Sequence, residues 1–485
     1  MRKILQRVEN NHMVPAGTPG HGFGGFIDII NGVGDASAYR SLPDVVTVLK
    51  QMIKQIGLVP DRFYQYLSND ANSADPGRDS TPGFYGLPYT ATPQWKRVTA
   101  RELVLATVGA LNKDGAQKYP LTLQLNTLVT KITFGQGGNK PRATGVEFLQ
   151  GKSVYRADPR FDPAARGGVP GAAFARKEVI VAGGTFNSPQ LLKLSGIGPR
   201  AELQKFKIPV VSDLAGVGHN MMDNPEVPVV GRARHDFVSS DNASLACTFG
   251  APGDPCVEQW RQGRGPYATG GTNANAMVRR TPFAVNPDND MLLFSGNFAF
   301  RGFWPITNQS LFDPPDTFGM STVKMHNQNR AGTVLLRSAD PRDPPEINFN
   351  LFTDGADIDL GAIVDTVKFG RRAFLNTPAP LGPIQATEPP CAGPPKPDGS
   401  CDDRADREWV LDQAFGHHPT STCAIGSDRD DQAVLDSKFR VRGVRGLRVV
   451  DASAFPRTPG AFPVVPTYML SVQAGDFILA DAGKW

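Results

Sequence analysis

The chain has 485 residues, 40% of them hydrophobic and 20% charged, with a formal net charge of +4. That length asks for two or more cores, and the composition is that of a folded, soluble protein rather than a disordered one. No basic block with interleaved aromatics occurs and no apolar run approaches the roughly 18–20 residues of a bilayer span, so neither nucleic acid nor a membrane span is expected.

The opening MRKILQRVENNHMVP is basic at its start but carries no apolar core segment or small-residue cleavage site, and it is not read as a signal peptide. Up to about residue 97 the chain is loop-rich, with one clear helix over 42–56, where Val45, Val48, Leu49, Met52 and Ile53 recur at helical spacing. Gly20-His21-Gly22-Phe23-Gly24-Gly25 is a literal G-x-G-x-x-G. A dinucleotide fingerprint needs a strand before it and a helix opening at its last glycine. Here a Pro/Gly segment precedes it and the strand-like Phe26 to Ile30 follows, so it reads as a flexible glycine loop.

From residue 98 the texture changes. Residues 99–111 read as a helix, and 121–125, 128–134, 143–148 and 178–182 as short strands. Glu178-Val179-Ile180-Val181-Ala182 is nearly all apolar, the pattern of a strand buried on both faces. Gly183-Gly184 ends it. Ser188 then fits as N-cap and Pro189 as first residue of a helix, a turn whose free N–H groups would suit an anion or cofactor.

Between 222 and 385, the segments 317–326, 332–337 and 347–349 suggest antiparallel sheet, and 357–375 a helix. The Pro-rich stretch 377–400 reads as a surface excursion. Cys247 with Cys256, and Cys391 with Cys401, bracket short Pro/Gly loops. They are either local disulfides of an oxidising compartment or free thiols of a reducing one, and their spacing is not that of a zinc site. Near the C-terminus, Gly416 to Gly426, GHHPTSTCAIG, sets two histidines in a Pro/Thr/Ser loop, a place for acid–base chemistry or for a structural His pair.

Several separate motifs together resemble the glucose–methanol–choline (GMC) oxidoreductases, the FAD-dependent alcohol oxidases and dehydrogenases. Gly184 to Gly198 is similar to that family's second signature, and Val217-Gly218-His219-Asn220-Met221-Met222-Asp223 to the element after it. Asp340-Pro341 with Pro345 to Asn348 resembles the strand pair before its long helix. His418-Pro419-Thr420-Ser421-Thr422 is similar to its catalytic His-Pro-x-Gly-Thr, with Ser421 in place of Gly. Leu447 to Ser453 and Pro466 to Met469 resemble its closing block.

The resemblance implies an α/β (α+β) fold, with an incomplete Rossmann-like FAD-binding domain interleaved with a substrate domain built on an antiparallel sheet. Residues 1–97 would carry substrate-side or lid elements, 98–221 part of the FAD domain, 222–410 the substrate domain, and 411–485 the return to the FAD domain. It implies FAD as cofactor, with Val129 at the adenine end, Ala182, Gly183, Asp451 and Ala452 along it, and Pro463 and Val464 near the flavin. It implies a small alcohol as substrate and His418 as catalytic base, His417 being the competing candidate.

Two positions depart from the family pattern. Where the family usually has a second His or Asn, this chain has Phe462, a side chain that cannot hydrogen-bond an alkoxide and would face the substrate as an apolar wall. No strand–GxGxxG–helix opens the chain, which implies weak FAD binding by this chain alone, an exposed apolar sheet edge, and a partner chain supplying that unit. The alternative functions are a truncated or degenerate homologue without catalysis, one half of a split flavoenzyme, or FAD chemistry without net redox. The compartment is left open between cytoplasmic and periplasmic or secreted.

Overall fold

A computed structural model describes residues 1–34, 36–136, 138–164, 167–237, 247–248, 251–271, 274–303 and 313–483. The chain divides into two units, the first made of residues 1–105, 225–325 and 356–415, the second of 106–224, 326–355 and 416–485.

In the first unit, a six-stranded sheet runs in the order Gln385–Glu388, Glu226–Arg232, Thr317–Lys324, Met291–Gly296, Asn275–Arg279, Gly83–Gly86. Every neighbouring pair is antiparallel. Thr317–Lys324 is buried at every position, so this strand is covered on both faces and shows no inside–outside alternation. The helix Ala356–Leu375 lies against the sheet, and a Cβ at Gly370 would sit only 2.9 Å from a Val229 methyl. Arg371 on this helix is fully buried in a pair with Asp406 at 2.7 Å. The expected helix near 42–56 forms as Pro43–Gln55, with proline opening it and Val45, Val48, Leu49, Met52 and Ile53 buried.

Two readings of this part of the chain change. The glycines at 20–25 are not a flexible loop: a Cβ at Gly22 would lie 1.9 Å from the Gln6 carbonyl oxygen and one at Gly25 2.1 Å from that of Val8. Gly22 and Gly25 permit close backbone packing on the N-terminal segment, and a strand, Ile27–Asn31, follows the glycines as expected. The Pro-rich stretch is more than an excursion, because Gln385–Glu388 adds an edge strand to the sheet by pairing with Glu226–Arg232. The alternative of free thiols also falls for four cysteines: Cys247 bonds Cys256 and Cys391 bonds Cys401, with Cα atoms 5.3 and 5.7 Å apart. Cys423 is a buried free thiol.

The second unit holds an antiparallel sheet of Thr127–Gly135, Arg142–Gln150 and Val169–Phe174. It also holds a parallel pair, Val179–Val181 with Leu447–Val449. Its core gathers Ile132, Val181, Leu192, Val217, Val434 and Val449 around the long C-terminal helix Val464–Ala482. Strand Val179–Val181 is not buried on both faces: Ile180 is 46% exposed, because the strand has only Leu447–Val449 beside it. Residues 121–125 form no strand and their leucines are exposed. Helix Ala100–Gly109, which begins in the first unit's range, forms on a Thr99–Glu102 capping box, both the N–H and hydroxyl of Thr99 donating to the Glu102 carboxylate at 2.7 Å, yet buries none of its residues.

The α/β architecture of mixed sheets and helices is the expected one. Among the described residues no helix is long and apolar enough to cross a membrane.

Candidate active site

The histidine loop lies in the second unit, and its backbone is held from three sides. The His418 N–H donates to Asp223 Oδ1 at 2.8 Å, and the Asn224 N–H to the same oxygen at 2.6 Å. Thr420 exchanges both backbone hydrogen bonds with Met222, while Gly218 N–H donates to the Thr422 carbonyl. On the other side Ser421 and Cys423 donate to the carbonyls of Ala452 and Ser453. Thr420 and Thr458 hydroxyls meet at 3.2 Å. A loop so fixed keeps its imidazoles in one place, as positional catalysis requires.

The third support comes from the helix after the Gly-Gly turn, and it changes the expected helix start. The helix runs Gly184–Leu194 with Gly183 as N-cap, which puts Ser188 and Pro189 inside it. Proline lacks the N–H that would bond the carbonyl four residues back, that of Thr185. Thr422 Oγ1 supplies the missing donor, reaching the Thr185 carbonyl at 2.6 Å, while Thr185 Oγ1 donates to the Pro419 carbonyl at 2.7 Å. The interior proline is tolerated because the histidine loop satisfies the carbonyl it leaves open.

The His417 and His418 rings stand 3.9 Å apart, tilted by 47°, and the Phe462 ring meets His418 edge-on at 5.1 Å. Burial lowers the His418 pKa to about 4, so the imidazole is neutral at physiological pH and able to accept a proton. Phe462 thus stands against the base itself. Asn224, fully buried, ties the Phe462 segment down by donating to the carbonyls of Gly460 (2.9 Å) and Ala461. Asp223 and Asn224 are the supporting residues that reading the sequence did not assign, although Asp223 closes one of the motifs it singled out.

The residues expected along FAD fall at the carboxyl ends of the two parallel strands, where Val450 N–H bonds the Val181 carbonyl at 2.8 Å. Ala182 and Gly183 are exposed there, Ala452 is half-buried, and a Cβ at Gly184 would meet nothing within 4 Å. An α/β sheet takes a nucleotide beyond the carboxyl ends of its parallel strands, and the exposed Ala182 and Gly183, with open space at Gly184, would leave room for that part of FAD. The Asp451 carboxylate is fully engaged: it accepts from Gly184 N–H (3.0 Å), Ser188 Oγ (2.6 Å), and both the N–H and hydroxyl of Ser453 (2.8 and 2.5 Å). The Gly183 N–H is likewise bound to Ser188 Oγ at 3.0 Å. The N–H groups of Gly183 and Gly184 at this turn therefore already have partners within the chain.

Val129 lies on the strand Thr127–Gly135, 36% exposed. Pro463 caps the C-terminal helix, and Val464 begins it, exposed. Of the expected residues, His417, His418 and Phe462 come together at one point, and Ala182, Gly183, Asp451 and Ala452 at another.

The sequence matches the GMC oxidoreductase pattern over residues 96–226 and 328–471. It is 33% identical over 385 residues to the glucose methanol choline oxidoreductase atC of Aspergillus terreus, covering 76% of this chain and 57% of that protein. It is 30% identical over 387 residues to the chloroplastic fatty acid photodecarboxylase of Chlamydomonas reinhardtii, covering 76% of this chain and 59% of that one. The chain thus spans less than two thirds of these relatives. Its fold matches formate oxidase of Aspergillus oryzae with a TM-score of 0.73 at 22% identity, over 100% of this chain and 78% of that one. The chain belongs to the GMC oxidoreductase family, whose cofactor is FAD.

Proposed function

We propose that this chain forms part of an FAD-dependent oxidoreductase that oxidises a small alcohol at its CH–OH group, with His418 as the base. The observation that carries this reading is a neutral, half-buried imidazole on a loop pinned by Asp223, Met222, Ala452 and Thr185. When bound, FAD supplies the acceptor for the hydride leaving the carbinol carbon. His418 takes the hydroxyl proton, and a positioned base of this kind is typically worth about 10²–10⁴ in rate. Phe462 excludes water and favours an apolar carbinol substituent at that edge. His417, adjacent in space, is the group available to polarise the oxygen that Phe462 cannot bond.

On this reading the cofactor is held by Val129, Ala182, Gly183, Asp451, Ala452, Pro463 and Val464, all of the second unit. The two disulfides favour an oxidising compartment.

The test is the absorbance spectrum of the purified protein with and without added FAD. A flavin band that bleaches anaerobically with an alcohol, and no longer does so in His418→Gln, supports the proposal. Colourless protein that takes up no FAD sinks it for this chain. A flavin band that alcohols never bleach would favour chemistry without net redox, a reading to which the photodecarboxylase relative lends some weight.

A further inference from the structure

A second recess opens in the same unit, separate from the residues assigned to FAD. It has a volume of about 380 Å³, and its wall includes Asn220, Arg330, Gly426, Asp430, Gln432 and Arg457. Its floor is rigid: Ile425 N–H bonds the Ala454 carbonyl at 3.1 Å, and Arg442 donates to the Gly426 carbonyl at 2.8 Å. Asn220 holds a left-handed backbone, φ 57°, a conformation that a short amide side chain tolerates better than most.

The polar groups of this wall point to a ligand. Among the described residues, neither Arg330 nor Arg457 takes part in any hydrogen bond or ion pair, and the Arg330 Nε is buried with no acceptor. Most other arginines that line a recess in this unit are paired: Arg156 and Arg342 with Asp340, and Arg160 with Asp158. The Asn220 amide lines the same recess. One carboxylate, Asp430, stands at the rim, exposed, its Oδ1 accepting the Gln432 N–H at 2.9 Å. Two guanidinium groups against one exposed carboxylate leave the recess with a net positive charge. A buried guanidinium N–H without an acceptor is unfavourable unless something brings one. The planar fork of arginine matches the oxygens of a carboxylate or phosphate.

We propose that this recess binds a small oxyanion, a carboxylate or phosphate group, held between Arg330 and Arg457 with the Asn220 amide as a further donor. The site shares no residue with the assigned cofactor positions or the histidine pair. Its ligand can be a free metabolite or a phosphate of the cofactor itself, and these two sources are separable by competition.

The experiment is isothermal titration of the full chain with inorganic phosphate and, separately, with succinate at low ionic strength. Each titration is repeated on Arg330→Gln, Arg457→Gln, the double variant, and Arg404→Gln, an exposed control paired only with Glu408. Saturable binding of either probe by the wild type and the control, weakened by about tenfold or more in each single variant and lost in the double one, is the expected result. Circular dichroism establishes that the variants fold. Loss of phosphate binding when FAD is added would identify the cofactor as the source; binding unaffected by FAD would identify a free anion. No saturable binding of either probe by the wild type, or undiminished binding by a folded double variant, overturns the proposal.

Discussion

The strands of the two units differ in how completely they are covered. In the first, the strand Thr317–Lys324 is buried throughout, and Phe318 packs between Phe237 and Phe374 at ring distances of 5.8 and 6.2 Å. In the second, the apolar Ile180 is 46% exposed and Phe174 85% exposed, while the histidine loop of that unit is bonded from three directions. Apolar sequence alone therefore does not tell whether a strand is covered. What distinguishes the regions is whether each backbone and side chain finds a partner within the unit, and substitutions can test that at both places.

The largest effect is expected in the closed sheet. Phe318→Ala should destabilise the first unit by about 3–5 kcal/mol, the range for a large aromatic removed from a core that cannot collapse. Four of the five tryptophans, at 95, 260, 304 and 409, fall in the ranges of that unit, so denaturant unfolding followed by tryptophan fluorescence reads it. A loss below about 1 kcal/mol would mean that the sheet is less tightly closed than its burial indicates.

In the second unit the corresponding dependence is on pH. Burial holds the His418 pKa at about 4, below its ordinary value of 6.5. The unfolded state then binds more protons than the folded one between these values, so stability rises with pH there. It should fall as pH drops from about 6.5 to about 4 and level off below. His418→Gln should flatten that part of the curve, measured as the denaturation midpoint against pH. An unchanged slope would show that the imidazole is well solvated.

Smaller still is the stitch between loop and helix. Thr422→Val keeps the shape but removes the hydroxyl that donates to the Thr185 carbonyl, the acceptor that Pro189 leaves open. The expected loss is about 1–3 kcal/mol, and Thr422→Ser should restore most of it. If Pro189→Ala abolishes the penalty of Thr422→Val, the hydroxyl does compensate for the proline; if the two penalties simply add, it does not.

These contrasts also show what the sequence could and could not reveal. The helix at 43–55 was legible because it buries one recurring face, and that at 356–375, though buried nearly all round, because its apolar residues recur at helical spacing. The histidine loop was legible because its Pro419 and Thr422 stand in a fixed register with His418. The strands Glu226–Arg232, Asn275–Arg279 and Met291–Gly296 were not: covered strands lose the alternation that marks a strand, although Thr317–Lys324, covered as fully, was still read as one. The start of the helix at Gly184 was misplaced because its permissive partner, Thr422, is more than two hundred residues away in sequence. Asp223 and Asn224 carry no local signature of support for a histidine; only the fold brings them to it.

The smallest predicted effect concerns Ser421, the departure from glycine in the histidine motif. Its backbone has φ 76°, the left-handed region that glycine adopts freely and a side chain does not, and the residue is fully buried. Ser421→Gly should remove that strain and stabilise the second unit by about 1 kcal/mol or less, the gain being reduced by the greater freedom of glycine in the unfolded chain. The hydroxyl complicates the sign: it lies 3.0 Å from Thr420 Oγ1, in a chain of hydroxyls that continues to Thr458. Ser421→Ala separates strain from hydrogen bonding, since it keeps the strained backbone and deletes only the hydroxyl. If Ser421→Gly is more stable than Ser421→Ala in chemical denaturation, relief of backbone strain outweighs the entropy cost of glycine, and the loop is held against its preference by its neighbours. If the two variants are equally stable, the surrounding hydrogen bonds impose no net strain at this position.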